Sequence, residues 1–289
     1  MRGLIDHGVA NCHLTQQTLQ THNHTHTYKL YFGLGQTLTL AHTPDVFKVS
    51  LAGIRLGNHL VQRLNPKILS RSFLDMGTGS GVHALLMRKL GNDDIVATDV
   101  SERSIEQAKV NEKINFNNHK ISFICSDLFK SVPERQFQTI IFNPPGWRTP
   151  SQTLTLQLDS IDQEATLPAS AMFYGETVIT RFLEDLPRYL EPTGVAIVGL
   201  NSMVGIRDVL DRYSQKYNNA PPLSHRLIER HTFPLIHYSS QWQALTAELQ
   251  LEFKNWEAQD LAAFSTDSKG IIYWSYEVIE FFHCPTPQS

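Results

Sequence analysis

The fold of this chain is decided by the stretch SFLDMGTGSGVHALLMRKL, residues 72–90. An apolar run of strand character leads into a glycine-rich turn, and the turn leads into a segment with apolar residues at helical spacing. Glycines allow positive φ in such a turn, and they let a ligand approach the backbone at the start of the helix. The stretch therefore predicts a strand, a turn and a helix, with a ligand site at the turn.

Short apolar runs recur after this unit and alternate with segments of helical pattern. Such alternation is typical of a parallel sheet that is covered by helices on both faces. The chain has 289 residues, 41% of them hydrophobic, which suits one large domain or a domain with a small appendage. The further predicted strands are DIVATD, ISFICSD, QTIIFN and GVAIVGL, and the predicted helices include SERSIEQAKVNEKI and TVITRFLEDLPRYL.

The regions on either side of this centre have patterns of their own. Residues 28–40 alternate apolar and polar side chains around glycines, which predicts a short hairpin, and residues 45–64 predict a helix that starts near Asp45. Towards the C-terminus, residues 225–238 and 271–284 predict two last strands, with a helix between them.

Composition and charge argue against several classes of protein. The net charge is −3 and no run of five or six like charges occurs, so strong electrostatic binding to nucleic acid or to an anionic membrane is not indicated. The cysteines form no CxxC pair, and three alternating histidines lack a neighbouring acid; these residues are Cys12, Cys125, Cys284, His22, His24 and His26. We therefore expect a protein of the reducing cytoplasm without a metal site or a membrane span.

Two cofactors use a glycine-rich corner of this kind. Gly79, Gly81 and Ala84 satisfy the G-x-G-x-x-A dinucleotide pattern, and Asp99 follows at the distance of a ribose-binding acid. Asp75 argues against a dinucleotide, because a carboxylate directly before the turn would repel a pyrophosphate. The same carboxylate suits the cationic amino group of S-adenosylmethionine, either directly or through water.

Acidic residues at successive strand ends support S-adenosylmethionine as the cofactor. Asp99 ends the second predicted strand, where it can accept hydrogen bonds from both ribose hydroxyls, and Asp127 follows the third, where it can receive the adenine amino group. A single Asp at a strand end is usually a helix cap or a turn former, but three in register with a glycine corner favour one ligand crevice. The predicted cofactor-binding residues are Asp75, Gly77, Thr78, Gly79, Gly81, Asp99, Val100, Asp127 and Asn143.

The fourth predicted strand ends in Asn143, Pro144 and Pro145. Tandem proline removes two backbone donors and stops any helix or sheet ladder, so the corner is stiff. An amide or exocyclic amine is a poor nucleophile because its lone pair is delocalised. The Asn143 side-chain oxygen and the Pro144 carbonyl can accept its two N–H bonds and turn the lone pair toward the methyl group. No strong general base is required.

With these motifs the chain resembles, over about residues 45–217, the class I methyltransferases that methylate planar nitrogen. Their D-x-G-x-G-x-G motif is matched from Asp75 to Gly81 without a gap, and their signature Asn-Pro-Pro is followed by an aromatic. Here Gly146 intervenes before Trp147, so stacking of the acceptor on Trp147 and packing of the loop both stay open. The resemblance implies a Rossmann-like α/β fold with a seven-stranded, mostly parallel sheet, helices on both faces and a small N-terminal extension.

Two families share this layout. Release-factor glutamine methyltransferases resemble the chain in the Asn-Pro-Pro corner, and small-domain methyltransferases of ribosomal RNA guanine also resemble it in TPDVFKVSLAGIRLGNHLVQRL, residues 43–64. The acceptor can thus be a protein amide, an RNA base or a small metabolite. A non-catalytic protein that keeps the cofactor fold is the alternative of another class. The residues predicted to act on the acceptor are Asn143, Pro144, Pro145 and Trp147.

The predicted domain organisation has two parts. Residues 1–50 form an N-terminal segment on the substrate side, and residues 51–289 form the methyltransferase domain. The first 70 residues hold six basic and two acidic side chains, which suggests that this end meets the acceptor.

Overall fold

The computed structural model describes residues 27–63, 71–162, 169–235 and 245–284. The chain divides into two compact units, Met1–Ile141 and Phe142–Ser289. Both units combine helices with strands.

The first unit begins with a hairpin and a helix. Its elements are β1 (Thr27–Tyr31), β2 (Thr37–Ala41) and α1 (Leu51–Arg63). The two strands pair antiparallel, which confirms the predicted hairpin. The helix begins at Leu51, so its predicted start near Asp45 is wrong. Ser50 explains the difference, because its side-chain oxygen accepts a hydrogen bond from Gly53 N (3.1 Å) and caps the helix.

A four-stranded sheet with its helices forms the rest of the first unit. The elements are β3 (Phe73–Met76), α2 (Val82–Lys89), β4 (Ile95–Asp99), α3 (Glu102–Phe116), β5 (Ser122–Cys125) and β6 (Phe137–Phe142). The strand order is β5-β4-β3-β6, and β4 is parallel to both β3 and β5. Every residue of β3 is buried, Asp75 included, as expected for a strand in a parallel sheet that is covered on both faces. The α/β class with parallel strands is confirmed.

Side-chain amides on α3 cover the outer edge of the hairpin. Asn115 Oδ1 accepts from Thr39 N (3.0 Å) while its Nδ2 donates to Thr39 O (2.7 Å). One turn earlier, Asn111 Oδ1 accepts from Ala41 N (2.7 Å), and its Nδ2 donates to Ser80 O in the glycine corner (2.9 Å). The helix thus satisfies backbone groups of β2 that a neighbouring strand would otherwise bind.

A buried carboxylate joins the end of α3 to β5. Glu112 accepts hydrogen bonds from the backbone N–H groups of Lys120 and Ile121, both at 2.9 Å, and it contacts His119 and Arg88. Burial by itself raises the pKa of Glu112. The two backbone donors, His119 and Arg88 more than offset this, so the pKa of the carboxyl lies below its ordinary value.

The second unit contains the remaining predicted strands. Its elements are α4 (Gln152–Asp162), α5 (Gly175–Tyr189), β7 (Leu190–Asn201), α6 (Ile206–Lys216), β8 (Leu223–Pro234), α7 (Thr246–Glu257), β9 (Phe264–Thr266) and β10 (Ile272–His283). β10 pairs antiparallel with β7, with β8 and with the short β9. Together with the four strands of the first unit, β7, β8 and β10 correspond to the seven strands predicted from the sequence, and β9 is a further short strand that was not predicted. In the part of the chain that the structure describes, no helix has the length and apolar character to cross a membrane.

Candidate active site

The glycine corner of the first unit turns between β3 and α2. Gly77, Gly79 and Gly81 have φ angles of 63°, 53° and 85°, a region that other residues rarely adopt. A Cβ added to Gly81 would lie 2.9 Å from the Ala108 Cβ of α3, so this glycine also permits close helix packing. A Cβ added to Gly79 would meet nothing within 4 Å. The backbone of the corner is therefore open on the side where a ligand is predicted.

The carboxylate of Asp75, in β3, is hydrogen-bonded to residues of the glycine corner and of α2. Its Oδ2 accepts hydrogen bonds from the Thr78 hydroxyl (2.6 Å) and from Ala84 N (3.0 Å), and the residue is buried. Burial raises the pKa of Asp75, although the neighbouring His83 opposes that shift. The carboxylate therefore organises the turn, and its contact with the cofactor amino group stays a prediction.

His83 itself is buried on α2, and its Nε2 lies 2.8 Å from Gly53 O of α1. This contact ties α1 to the helix that follows the glycine corner.

Asp99 lies at the end of β4 beside the corner. Its Oδ2 accepts from Gly79 N (2.8 Å) and its Oδ1 accepts from Ser101 N (2.9 Å). Burial raises the pKa of Asp99, while these backbone donors favour its charged form. Each carboxylate oxygen can accept a second hydrogen bond, so the group can still receive two hydroxyls. Val100, which follows it, is exposed.

Asp127 stands at the end of the neighbouring strand. In the parallel register Asp99 is opposite Cys125, and Ser126 N donates to Asp99 O (2.8 Å), so residues 126–127 follow directly beside Asp99. The Asp127 carboxylate is half-buried and forms an ion pair with Lys130 (2.7 Å). The first unit thus places Asp99 and Asp127 at adjacent strand ends, as the sequence predicts. The open corner at Gly79 and the Asp99 carboxylate fit the ribose of S-adenosylmethionine.

The Asn-Pro-Pro corner follows β6 and opens the second unit. Asn143, Pro144 and Pro145 are half-buried. The hydroxyl of Tyr276 on β10 donates to Asn143 Oδ1 (2.9 Å). An amide oxygen has two lone pairs, so one remains for another donor.

Two glycines explain how this corner is held. A Cβ added to Gly146 would lie 2.7 Å from the side-chain nitrogen of Asn201, so the residue before Trp147 must be small to let Asn201 approach. A Cβ added to Gly175 would overlap the carbonyl oxygen of Pro145, and Gly175 N donates to Trp147 O (2.8 Å). The departure from the family pattern at Gly146 is thus a packing requirement of the second unit.

Trp147 lies inside an aromatic cluster of the second unit. Its side chain is 3% exposed and makes edge-to-face contacts with Phe173 and Phe253, each at a centroid distance of 5.2 Å. Packing, and not stacking on an acceptor, is therefore the role that the structure describes for Trp147. We do not include Trp147 in the proposed acceptor site.

The loop after Trp147 is held by charged side chains that the sequence motifs do not identify. Arg148 is buried and donates to Asp208 (2.9 Å), and both oxygens of Glu176 accept from Thr149 N at 3.0 and 3.1 Å. This loop and α7 line a cleft of about 400 Å³. No local sequence signal reveals these contacts, because each joins residues distant in the chain.

A metal site is not evident among the residues that the structure describes. Among the described residues, no group of three or more His, Cys, Asp or Glu side chains is placed to hold a metal ion. The alternating histidines His22, His24 and His26 lie outside the described residues.

Comparison with known proteins shows which proteins the chain resembles. Residues 37–165 match the family model described as the methyltransferase small domain. A protein of Methanocaldococcus jannaschii, named as a protein N5-glutamine methyltransferase, is 29% identical over 169 residues, which cover 58% of this chain and 79% of that protein. The tRNA1(Val) (adenine(37)-N6)-methyltransferase of Vibrio campbellii is 32% identical over 106 residues, covering 36% of this chain and 44% of that protein.

A solved structure shows the same fold. The T. thermophilus 16S rRNA N2 G1207 methyltransferase, in complex with AdoMet and guanosine, superposes with a TM-score of 0.51 at 21% identity. The match covers 71% of this chain and 47% of that chain. Fold and matches together define the chain as a class I S-adenosylmethionine-dependent methyltransferase. The match to the methyltransferase small domain model, over residues 37–165, takes in less than half of the chain.

The sequence-based predictions of fold class, enzyme class and cofactor are confirmed by these findings. The printed names of the two curated relatives give nitrogen as the atom that those proteins methylate. The family match begins at residue 37, within the predicted N-terminal segment, and the domain boundary after residue 50 stays a prediction.

Proposed function

We propose that this enzyme methylates a planar amide or exocyclic amino nitrogen that is held at the Asn143 corner. The observation that carries the proposal is the half-buried Asn143, whose side-chain oxygen is held by a hydrogen bond on a stiff corner directly after β6. An amide nitrogen needs its N–H bonds oriented before its lone pair can attack, and preorganised acceptors supply that orientation.

The corner offers two acceptors for the two N–H bonds. Asn143 Oδ1 keeps one lone pair free beside its bond from Tyr276. The Pro144 carbonyl is the second acceptor, since the Pro145 carbonyl oxygen packs directly against Gly175. The two prolines restrict the backbone of the corner, which limits the directions open to the Pro144 carbonyl.

The cofactor is assigned to the first unit. In this assignment Asp99 accepts hydrogen bonds from the ribose hydroxyls, and Asp127 accepts one from the adenine amino group. The open space at Gly79 lets the cofactor approach the backbone closely. Gly77, Thr78, Gly81 and Val100 complete the assigned set, and Asp75 supports it through the turn. When bound, S-adenosylmethionine supplies the methyl group: the nitrogen lone pair forms the N–C bond, the S–C bond breaks with its electrons on sulfur, and the nitrogen releases one proton.

A protein glutamine is the favoured acceptor, and a nucleobase is the second candidate. The chain covers 79% of its glutamine-methylating relative but less than half of its tRNA-methylating relative. The net charge of −3 also supplies little non-specific attraction for RNA. A small metabolite as acceptor and a non-catalytic role are less favoured, and a cytoplasmic location stays a prediction from the sequence.

The proposal is tested by substituting Asn143. Purified protein is incubated with cell extract and S-adenosylmethionine that carries a labelled methyl group, and the label is followed into protein, RNA and small-molecule fractions. Asn143→Ala should bind the cofactor almost as well as the parent while transfer falls about 10²- to 10³-fold, the usual loss for one preorganised contact at a reacting centre. The matched control is Asn218→Gly, which removes an exposed amide at a position whose φ of 51° glycine tolerates.

Several outcomes would overturn the assignment. Parental transfer by Asn143→Ala would remove Asn143 from the acceptor site. A new methyl group on carbon or oxygen, found by mass spectrometry of the product, would refute nitrogen methylation. Cofactor binding without transfer to any fraction would favour a non-catalytic role.

A further inference from the structure

Tyr276 is a buried residue of β10 that no sequence motif identifies. Its side chain is 1% exposed, and its hydroxyl donates to Asn143 Oδ1 at 2.9 Å. The two residues are 133 positions apart in the chain. A polar tip on an otherwise apolar ring is usually placed in a strand interior only where it has a partner.

The neighbouring strand, β7, has a glycine at the position that the Tyr276 hydroxyl contacts. Gly199 of β7 lies across from Val278 of β10, and a Cβ at Gly199 would overlap the Tyr276 hydroxyl oxygen. Tyr276 itself is opposite Asn201, whose amide packs on Gly146 of the corner. The hydroxyl thus occupies a space that any other residue at position 199 would fill.

This contact decides the direction of the Asn143 side chain. The last torsion of an asparagine side chain is broad, so its amide rotates over a wide range unless a partner fixes it. With the hydroxyl bonded to one lone pair of Oδ1, the remaining lone pair has a defined direction. A small misorientation of the groups at a reacting centre strongly lowers the rate of the reaction.

We propose that Tyr276 is the positioning residue of the acceptor site, whose hydroxyl holds Asn143 Oδ1 toward an N–H of the acceptor nitrogen. This inference rests on the proposed function and adds a residue to it. Tyr276 acts through Asn143 and does not touch the acceptor. Burial, together with the nearby Glu229, raises the pKa of Tyr276 above its ordinary value, so the hydroxyl keeps its proton and stays a donor at neutral pH.

The test is a double-mutant cycle of Tyr276→Phe and Asn143→Ala. With saturating labelled S-adenosylmethionine and the extract fraction that the parent labels, Tyr276→Phe should lower the maximal rate about 3- to 10-fold, the loss expected for one hydrogen bond. Cofactor affinity by calorimetry should not change. In the Asn143→Ala background the same substitution should change the rate less than about twofold, because its effect passes through Asn143.

Tyr213→Phe on α6 is the matched control, since it removes the hydroxyl of another buried tyrosine of the second unit. Its transfer rate should equal that of the parent. A second readout needs no acceptor: the side-chain NH₂ resonances of Asn143, assigned by their loss in Asn143→Ala, should shift in Tyr276→Phe and stay in place in Tyr213→Phe.

The outcomes separate this inference from the function it rests on. If Asn143→Ala loses transfer while Tyr276→Phe keeps the parental rate, the proposed function stands and the positioning role is refuted. Additive losses in the double variant would also refute it, as would unshifted Asn143 resonances in Tyr276→Phe. If Asn143→Ala transfers at the parental rate, both proposals fail.

Discussion

Asp99→Ala is the sharpest test of how the cofactor is held. The substitution removes a carboxylate whose oxygens accept from Gly79 N and Ser101 N, and which we assign to two ribose hydroxyls. The two backbone donors lie in a half-buried region where water can replace the carboxylate, so folding should survive. The lost bonds to the ribose involve a charged acceptor, which predicts a cofactor affinity weaker by about 1–3 kcal/mol, or roughly 5- to 150-fold.

The assay is calorimetric titration with S-adenosylmethionine and with its demethylated product. Asp94→Ala is the matched control, because Asp94 precedes the same strand at its opposite end and forms an exposed ion pair with Arg135. Exposed pairs contribute about 0–1 kcal/mol to stability, so Asp94→Ala should fold and bind as the parent does. Unchanged affinity in Asp99→Ala would contradict the assignment, and tighter binding of a nicotinamide dinucleotide than of S-adenosylmethionine would contradict the interpretation of the whole corner.

Two further predictions concern stability. Glu112→Gln should lower the free energy of unfolding at pH 7 by about 1–3 kcal/mol, since Lys120 N and Ile121 N lose a charged acceptor. Because the folded pKa of Glu112 is lowered, its contribution is full above the ordinary value of 4.5 and is lost as the pH falls through the folded pKa. Thermal melts between pH 3 and 7 should therefore converge for parent and variant at the acidic end, and a constant difference would contradict this. Gly199→Ala should lower the free energy of unfolding by about 1–3 kcal/mol, because the added methyl group would overlap the Tyr276 hydroxyl. A melting temperature equal to the parent's would show that β7 and β10 can move apart without loss of stability.

Local motifs predicted the first unit well. The glycines at 77, 79 and 81 require an unusual backbone, and the strand patterns are continuous, so the corner and the acids at the strand ends could be inferred from neighbouring residues. The ends of the helices were predicted less well. The sequence predicted that α1 starts near Asp45, but Ser50 caps the helix and it begins at Leu51.

Contacts between distant residues could not be predicted in the same way. Trp147 belongs to the expected motif, but its partner Phe253 lies on a helix more than a hundred residues later and draws it into the core. Tyr276 is one of several aromatic residues in an apolar strand, and nothing in that pattern marks it as the partner of Asn143. Packing against remote elements, not local propensity, decides these roles.

The hydrogen bonds from Asn111 and Asn115 to β2 bear on whether copies of the protein aggregate. A strand edge with unpaired backbone groups invites another chain to add a strand, which is a common start of aggregation. In β2, the backbone groups of Thr39 and Ala41 form hydrogen bonds with side chains of α3. These two residues are two positions apart, as the residues of a strand that bond to the same neighbouring strand are. Replacing both asparagines by leucine would remove these hydrogen bonds and leave backbone groups of β2 open to pairing with another chain, with the proposed acceptor site unchanged.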